Sequence, residues 1–234
     1  MKLITYITTA VAMTAAAFAG SSPVIAPTPP PAPSLGGWFF GGSYGQLESS
    51  HNGENAVYDF VYENFDENID DVTVGDIDFD VYTLHVGRDL GTQVMGCDLA
   101  AYLEVGYMSG DQTAYLAFFD GVNDYYDSYG FEVVIVPITF NLKLERPIYG
   151  PVNGYLTGGI GYAFSNLEVS GENSISDGGF YAQASAGLLY NVNAQFEVFA
   201  GGRWSYLSGL EFDDNLDLEL DDEFSWEVGA RYNF

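Results

Sequence analysis

Cysteine, histidine and positive charge are all scarce in this 234-residue chain. Cys97 is the single cysteine, so no intrachain disulfide can form and stability has to come from backbone pairing and burial. Six Lys and Arg stand against 33 Asp and Glu, giving a formal net charge of −27 and a pI near 4.1. That balance excludes nucleic acid as a partner, because phosphates need a surface of Lys and Arg. The two histidines, His51 and His85, offer little for catalysis. Nucleophilic chemistry needs a base positioned on a Ser or similar group. His85 is followed by Val86-Gly87, and His51 sits beside Asn52-Gly53, a turn signal. No activated nucleophile assembles from these, and the chain reads as a non-enzyme without a cofactor.

What is present begins with the N-terminus. Met1-Lys2 supplies one positive side chain, Leu3 to Phe18 is apolar apart from threonines and Tyr6, and Ala17-Phe18-Ala19 supplies small residues for cleavage before Gly20. That order is a secretory signal peptide over residues 1–19, too short and too bare of flanking charge for a membrane anchor. Residues 20–35 are rich in proline, at Pro23, Pro27, Pro29, Pro30, Pro31 and Pro33. Such composition favours an extended spacer, here a periplasmic linker, with a partner-docking PxxP segment as the alternative.

From Gly36 onward no long helical pattern occurs. Segments of about ten residues alternate apolar with polar or small residues, the signature of strands. They run over Trp38–Glu48, Ile77–Arg88, Leu99–Met108, Phe131–Leu144, Tyr155–Leu167, Gly179–Tyr190, Gln195–Tyr206 and Phe224–Phe234. In the last, Phe224, Trp226, Val228, Ala230, Tyr232 and Phe234 share one face, and Ser225, Glu227, Gly229, Arg231 and Asn233 the other.

Aromatics such as Tyr107, Tyr190, Phe196, Trp204, Tyr206 and Phe224 cluster near strand ends, as interfacial girdles do. The polar faces carry Gly and a few charges, which suits a narrow lumen. Open edges are forbidden in lipid, so the strands must close. The reading is an all-β, eight-stranded antiparallel transmembrane barrel over residues 36–234.

The connections after strands one, three, five and seven are long: Ser49–Asp76, Ser109–Gly130, Glu168–Gly178 and Ser208–Glu223. Those after strands two, four and six are shorter, at Asp89–Asp98, Glu145–Gly154 and Asn191–Ala194, the last a tight turn in which Asn tolerates positive φ. Long loops facing out and short turns facing in place both termini in the periplasm.

Trp38-Phe39-Phe40-Gly41-Gly42-Ser43-Tyr44-Gly45, Gly158-Gly159-Ile160-Gly161-Tyr162 and the terminal Tyr232-Asn233-Phe234 carry a resemblance. The chain resembles the small outer-membrane β-barrel families: the OmpA transmembrane-domain type and the porin-family outer-membrane protein β-barrel group. The resemblance implies residence in the bacterial outer membrane, contact with its lipids and a monomeric barrel. It also implies delivery by the barrel assembly machinery, for which Tyr232 and Phe234 would be the signal. No OmpA-type peptidoglycan-binding domain follows the last strand. Some small barrels are lipid A deacylases or palmitoyltransferases, but the deacylase-like His-x-Ser arrangement is absent here.

The positive charges are few enough to place. Arg88 and Arg146 fall at periplasmic strand ends, whereas Lys143, Arg203 and Arg231 fall on polar faces. On antiparallel neighbours Glu197 lies level with Arg231 and Arg203 roughly level with Glu227, while Lys143 and Glu104 match less well in depth. These six residues form the expected lumen cluster: a plug in one reading, the wall of a small cation-preferring channel in the other. His85 faces the lumen as a hydrogen-bonded plug residue.

Acidic residues crowd the first loop (Glu54, Asp59, Glu63, Asp66, Glu67, Asp70, Asp71, Asp76) and the last (Glu211, Asp213, Asp214, Asp217, Glu219, Asp221, Asp222, Glu223). They read as a solvated anionic surface, with weak Ca²⁺ or Mg²⁺ binding as the alternative; the EF-hand ligand order is missing, so no defined metal site is assigned. Asn123, Tyr125, Tyr126 and Tyr129 are a candidate binding patch in the second loop. The function expected is a structural or surface-interaction barrel, and the alternative is a passive channel.

Overall fold

The computed structural model describes residues 37–49, 69–74, 77–119, 124–169, 175–213 and 216–234. Nine strands follow in chain order: β1 (Trp38–Ser49), β2 (Ile69–Val74), β3 (Ile77–Val94), β4 (Cys97–Phe119), β5 (Asp124–Tyr149), β6 (Val152–Val169), β7 (Ile175–Asn191), β8 (Phe196–Asp213) and β9 (Leu216–Asn233). Every pairing is antiparallel, and β9 returns to β1. Eight strands therefore close a ring. The ends meet through reciprocal bonds, the amide of Trp38 donating to the carbonyl of Phe234 at 3.2 Å and that of Phe234 to the carbonyl of Trp38 at 2.9 Å. Closure leaves no unpaired edge among the ring strands.

β2 is an addition. It stands within the stretch expected to be a loop and pairs with β4 at Ala114–Phe118, above Gly110, where the pairing of β3 with β4 ends. The ring strands are also longer than their alternation suggests: β4 runs to Phe119 and β5 starts at Asp124, so much of the expected second loop is a projecting hairpin. Alternation marks only the part of a strand with one apolar and one polar environment. Beyond it, backbone pairing continues without imposing period two on the sequence.

Three tight connections join strands at the end that bears both termini. Met95 and Gly96, with φ of 55° and 79°, form a two-residue turn between the paired Val94 and Cys97. Positive φ at both central positions belongs to the type I′ turn, whose twist matches the flanking strands. The expected connection at Asp89–Asp98 thus shrinks to two residues, and Gly91 (φ 64°) sits in the register shift between Asp89 and Thr92. In the turn after β7 no Asn adopts positive φ. Asn193 works through its side chain instead, its Oδ1 accepting from the amides of Gln195 and Phe196, each at 2.8 Å.

The pleat sorts the side chains. On β9, Phe224, Trp226, Val228, Tyr232 and Phe234 are exposed on the outer wall, while Ser225, Glu227, Arg231 and Asn233 are buried inside. The outer wall carries large apolar groups throughout, Leu84 being 74% exposed and Ile160 61%. Rings pack across this wall, as between Tyr44 and Tyr82 (centroids 5.2 Å apart) and between Phe40 and Tyr232 (5.8 Å). The signal peptide, the Pro-rich linker, His51, Glu54, Asp59, Glu63, Asp66, Glu67, Asp76, Asn123 and Asp214 lie outside the described residues. The other acidic loop residues stand in β2, β8 and β9, so part of the expected last loop is also strand. Nothing is described of the side chains of Tyr125, Tyr126 and Tyr129.

Candidate functional site

The lumen is where the charges converge, and it is layered. Nearest the termini, Arg231 faces Glu197, its direct partner on β8. Its Nη2 lies 2.6 Å from Glu197 Oε2 and its Nη1 2.7 Å from Glu145 Oε1. Lys143 Nζ reaches the same Glu145 oxygen at 2.9 Å. Asn233 Nδ2 donates to the other oxygen of Glu197 at 2.7 Å. The cations also lie over rings: Arg231 is 4.7 Å from the Phe39 centroid and Lys143 4.9 Å from that of Tyr155.

The second charged layer centres on Arg203. Its Nη1 donates to Glu104 Oε1 at 2.6 Å and to Gln183 Oε1 at 2.8 Å; its Nη2 donates to Glu227 Oε2 at 2.7 Å. Arg203 pairs in register with Ser225, and Glu227 with Gly201, so their contact is diagonal, within reach of the long guanidinium. Tyr155 donates to the second oxygen of Glu227 at 2.8 Å, and Gln183 Nε2 donates to Glu104 at 2.8 Å. The rigid fork of arginine suits this task, because it serves several carboxylate oxygens at once.

Beyond Arg203, away from the termini, the lumen turns apolar. Leu47, Phe79, Met108, Ile135 and Leu207 are almost completely buried, and all point inward. Leu47 pairs with Phe79, Val81 with Met108, and Met108 with Ile135, which places these side chains at one level around the ring.

Of the six residues expected in the lumen cluster, Arg231 meets Glu197, while Arg203 meets Glu227 and also Glu104 across the barrel. Lys143 and Glu104 do not meet: the β4 partner of Lys143 is Ala100, four positions from Glu104. Glu145, assigned from sequence to a connection, is buried and joins Lys143 to Arg231. The apolar layer and the interior rings of Phe39, Tyr102, Tyr155, Tyr181 and Phe199 were also missed. Their signal was parity, since Phe199 lies between Glu197 and Gly201 on the inward positions of β8.

His85 needs a correction. It faces the lumen, but no protein group hydrogen-bonds its Nδ1, which is buried 4.0 Å from Glu104 Oε2. The imidazole is wedged instead among Phe39, Tyr102 and Phe199, with centroid distances of 6.2, 5.4 and 6.1 Å. Arg88 and Arg146 are exposed near the terminal end, the Arg88 guanidinium 6.0 Å from the Trp38 ring. Tyr232 and Phe234 are exposed on the outer wall. Among the described residues no group of three or more His, Cys, Asp or Glu is arranged to hold a metal ion.

No family model matches the chain, and no curated protein matches it in sequence. Solved structures do align with it. Neisserial surface protein A (NspA) is 12% identical, with 84% of this chain and 97% of that chain covered and a TM-score of 0.49. Ail, the attachment invasion locus protein of Yersinia pestis, is 16% identical, with 85% and 99% covered and a TM-score of 0.42. The outer membrane protein OprG of Pseudomonas aeruginosa is 12% identical, with 87% and 98% covered and a TM-score of 0.44.

Proposed function

We propose that this chain is a monomeric outer-membrane barrel with a lumen closed to ions, serving as a structural wall element that displays acidic loops to the outside. The observation that carries this reading is the inversion of the molecule: large apolar side chains outside, salt bridges inside. A water-soluble barrel so exposed would aggregate. In lipid the same wall is fully satisfied, and the buried charges sit where they can pair.

The dimensions agree. On β9 the outer apolar face spans Phe224 to Phe234. Ten steps at about 3.3 Å, tilted by about 40°, span about 25 Å along the membrane normal, the height of the apolar band on such barrels. The short turns and both termini then face the periplasm, and the long hairpins and acidic loops face out. Outer-membrane lipids are the obligatory partners, and the barrel assembly machinery reads Tyr232 and Phe234.

The closed lumen rests on two barriers in series. The ionic layers hold Lys143, Arg203 and Arg231 on carboxylates, leaving no free lane of charge. The apolar layer of Leu47, Phe79, Met108, Ile135 and Leu207 would dewet any thin path. Eight strands enclose a space that side chains can fill. The full chain, refolded into a planar bilayer, is expected to show no sustained single-channel steps. Stable, cation-selective steps would replace this reading with that of a small channel.

A further inference from the structure

A small cavity of about 20 Å³ lies between the two charged layers. Glu104, Arg203 and Glu227 border it from one layer and Lys143 and Arg231 from the other, with His85 and Tyr155 at its sides. The His85 side chain is 8% exposed, and its Nδ1 has no hydrogen-bond partner. From these observations we infer a built hydration site in the lumen: one buried water, bridging His85 Nδ1 and Glu104 Oε2.

The volume and the lining both point to water. A single water needs about 10–15 Å³ of such space, and cavities that stay empty are apolar. This one is bordered by two carboxylates, three cations, two phenols and the hydroxyls of Thr157 and Ser185, beside the rings of Phe39 and Phe199. The distance fits as well. His85 Nδ1 and Glu104 Oε2 are 4.0 Å apart, too far for a direct bond. One oxygen making two bonds of about 2.8 Å spans that gap at an angle of roughly 90°. The neutral imidazole donates its Nδ1–H to the water, and the water donates to the carboxylate oxygen. A buried donor left unmet is costly, and the water removes that cost.

The imidazole has little freedom to find another partner. On one side it lies against the bare backbone of Gly41, where an added Cβ would come within 2.5 Å of Nε2. Phe39, Tyr102 and Phe199 confine it elsewhere. Glu104 is held in turn by Arg203 and Gln183. Both ends of the gap are fixed by packing, so a bridging atom fills it better than a rotation closes it.

The test is a high-resolution crystal structure of the full chain, paired with the His85→Phe variant, which keeps a ring of similar shape. A solvent peak within hydrogen-bond range of both His85 Nδ1 and Glu104 Oε2, lost in the variant, is the expected result. Nuclear Overhauser transfer from buried water to the labelled imidazole of the wild-type protein gives a reading that does not depend on the variant folding. An empty cavity, a Nδ1 that meets a protein acceptor directly, or a peak that survives unchanged in His85→Phe would overturn the inference.

Discussion

Replacing Arg203 with alanine strikes the lumen at its most shared point. The guanidinium serves Glu104, Glu227 and Gln183 together, and its side chain is 8% exposed. Without it, Glu104 keeps a bond from Gln183 and Glu227 keeps one from Tyr155, but neither retains a counter-ion in contact. The local charge on these three groups falls from −1 to −2, counting Glu104, Glu227 and Arg203. Breaking a buried pair by deleting one partner costs about 3–5 kcal/mol, and here one deletion strands two carboxylates. A loss in the upper half of that range is therefore expected.

Urea unfolding of the refolded protein in detergent micelles, followed by tryptophan fluorescence, reads this loss. The decisive form is a cycle. Arg203→Ala with Glu227→Ala should cost at least about 1 kcal/mol less than the two single changes added, because the double variant strands one carboxylate fewer. Additive costs would place the two side chains in separate wet environments and refute the coupled lumen. The same Arg203→Ala protein should stay closed in a planar bilayer, because the apolar layer of Leu47, Phe79, Met108, Ile135 and Leu207 remains in series with the charged one.

Two further changes probe the wall and the assembly signal. Leu84→Arg puts a charge on the outward face of β3 and should destabilise the membrane-inserted barrel by about 2–4 kcal/mol, against about 0.5 kcal/mol or less for Asp78→Asn nearer the rim; equal effects in the same unfolding assay would argue against a lipid-facing wall. Deleting Phe234, which packs at 6.4 Å from Phe40 on the outer face, should lower insertion while synthesis stays normal, measured as membrane-fraction yield; undiminished levels would remove the assembly-signal role.

Alternation located all eight ring strands, because a wall with lipid on one side and a filled lumen on the other forces period two on each strand. It also paired Glu197 with Arg231, since antiparallel neighbours of known direction fix depth to within a residue or two. It could not find β2 or the outer halves of β4 and β5, where pairing outlasts the apolar belt. Nor did it reveal that the lumen is half apolar. Leu47, Phe79 and Ile135 occupy inward positions, but a hydrophobic residue among outward hydrophobics blurs the period and looks like noise. Glu145 and His85 were misjudged for a different reason. Glu145 belongs to a strand that runs farther than its sequence pattern, and the isolation of His85 depends on three rings and one glycine drawn from other strands.

The central claim is that the apolar outer wall lies in lipid, and the chain carries its own reporters. All three tryptophans, Trp38, Trp204 and Trp226, sit on outward positions, with Trp38 next to the termini and the other two farther up the wall. Fluorescence of the refolded protein in vesicles of lipids brominated along their acyl chains measures this contact directly. Strong quenching of all three is predicted, with single-tryptophan variants that retain Trp38 or Trp204 quenched most by bromines close to the headgroups, since Trp38 lies level with Phe234 and Trp204 with Phe224 at the two rims of the apolar band. Emission unaffected by brominated chains would contradict the account.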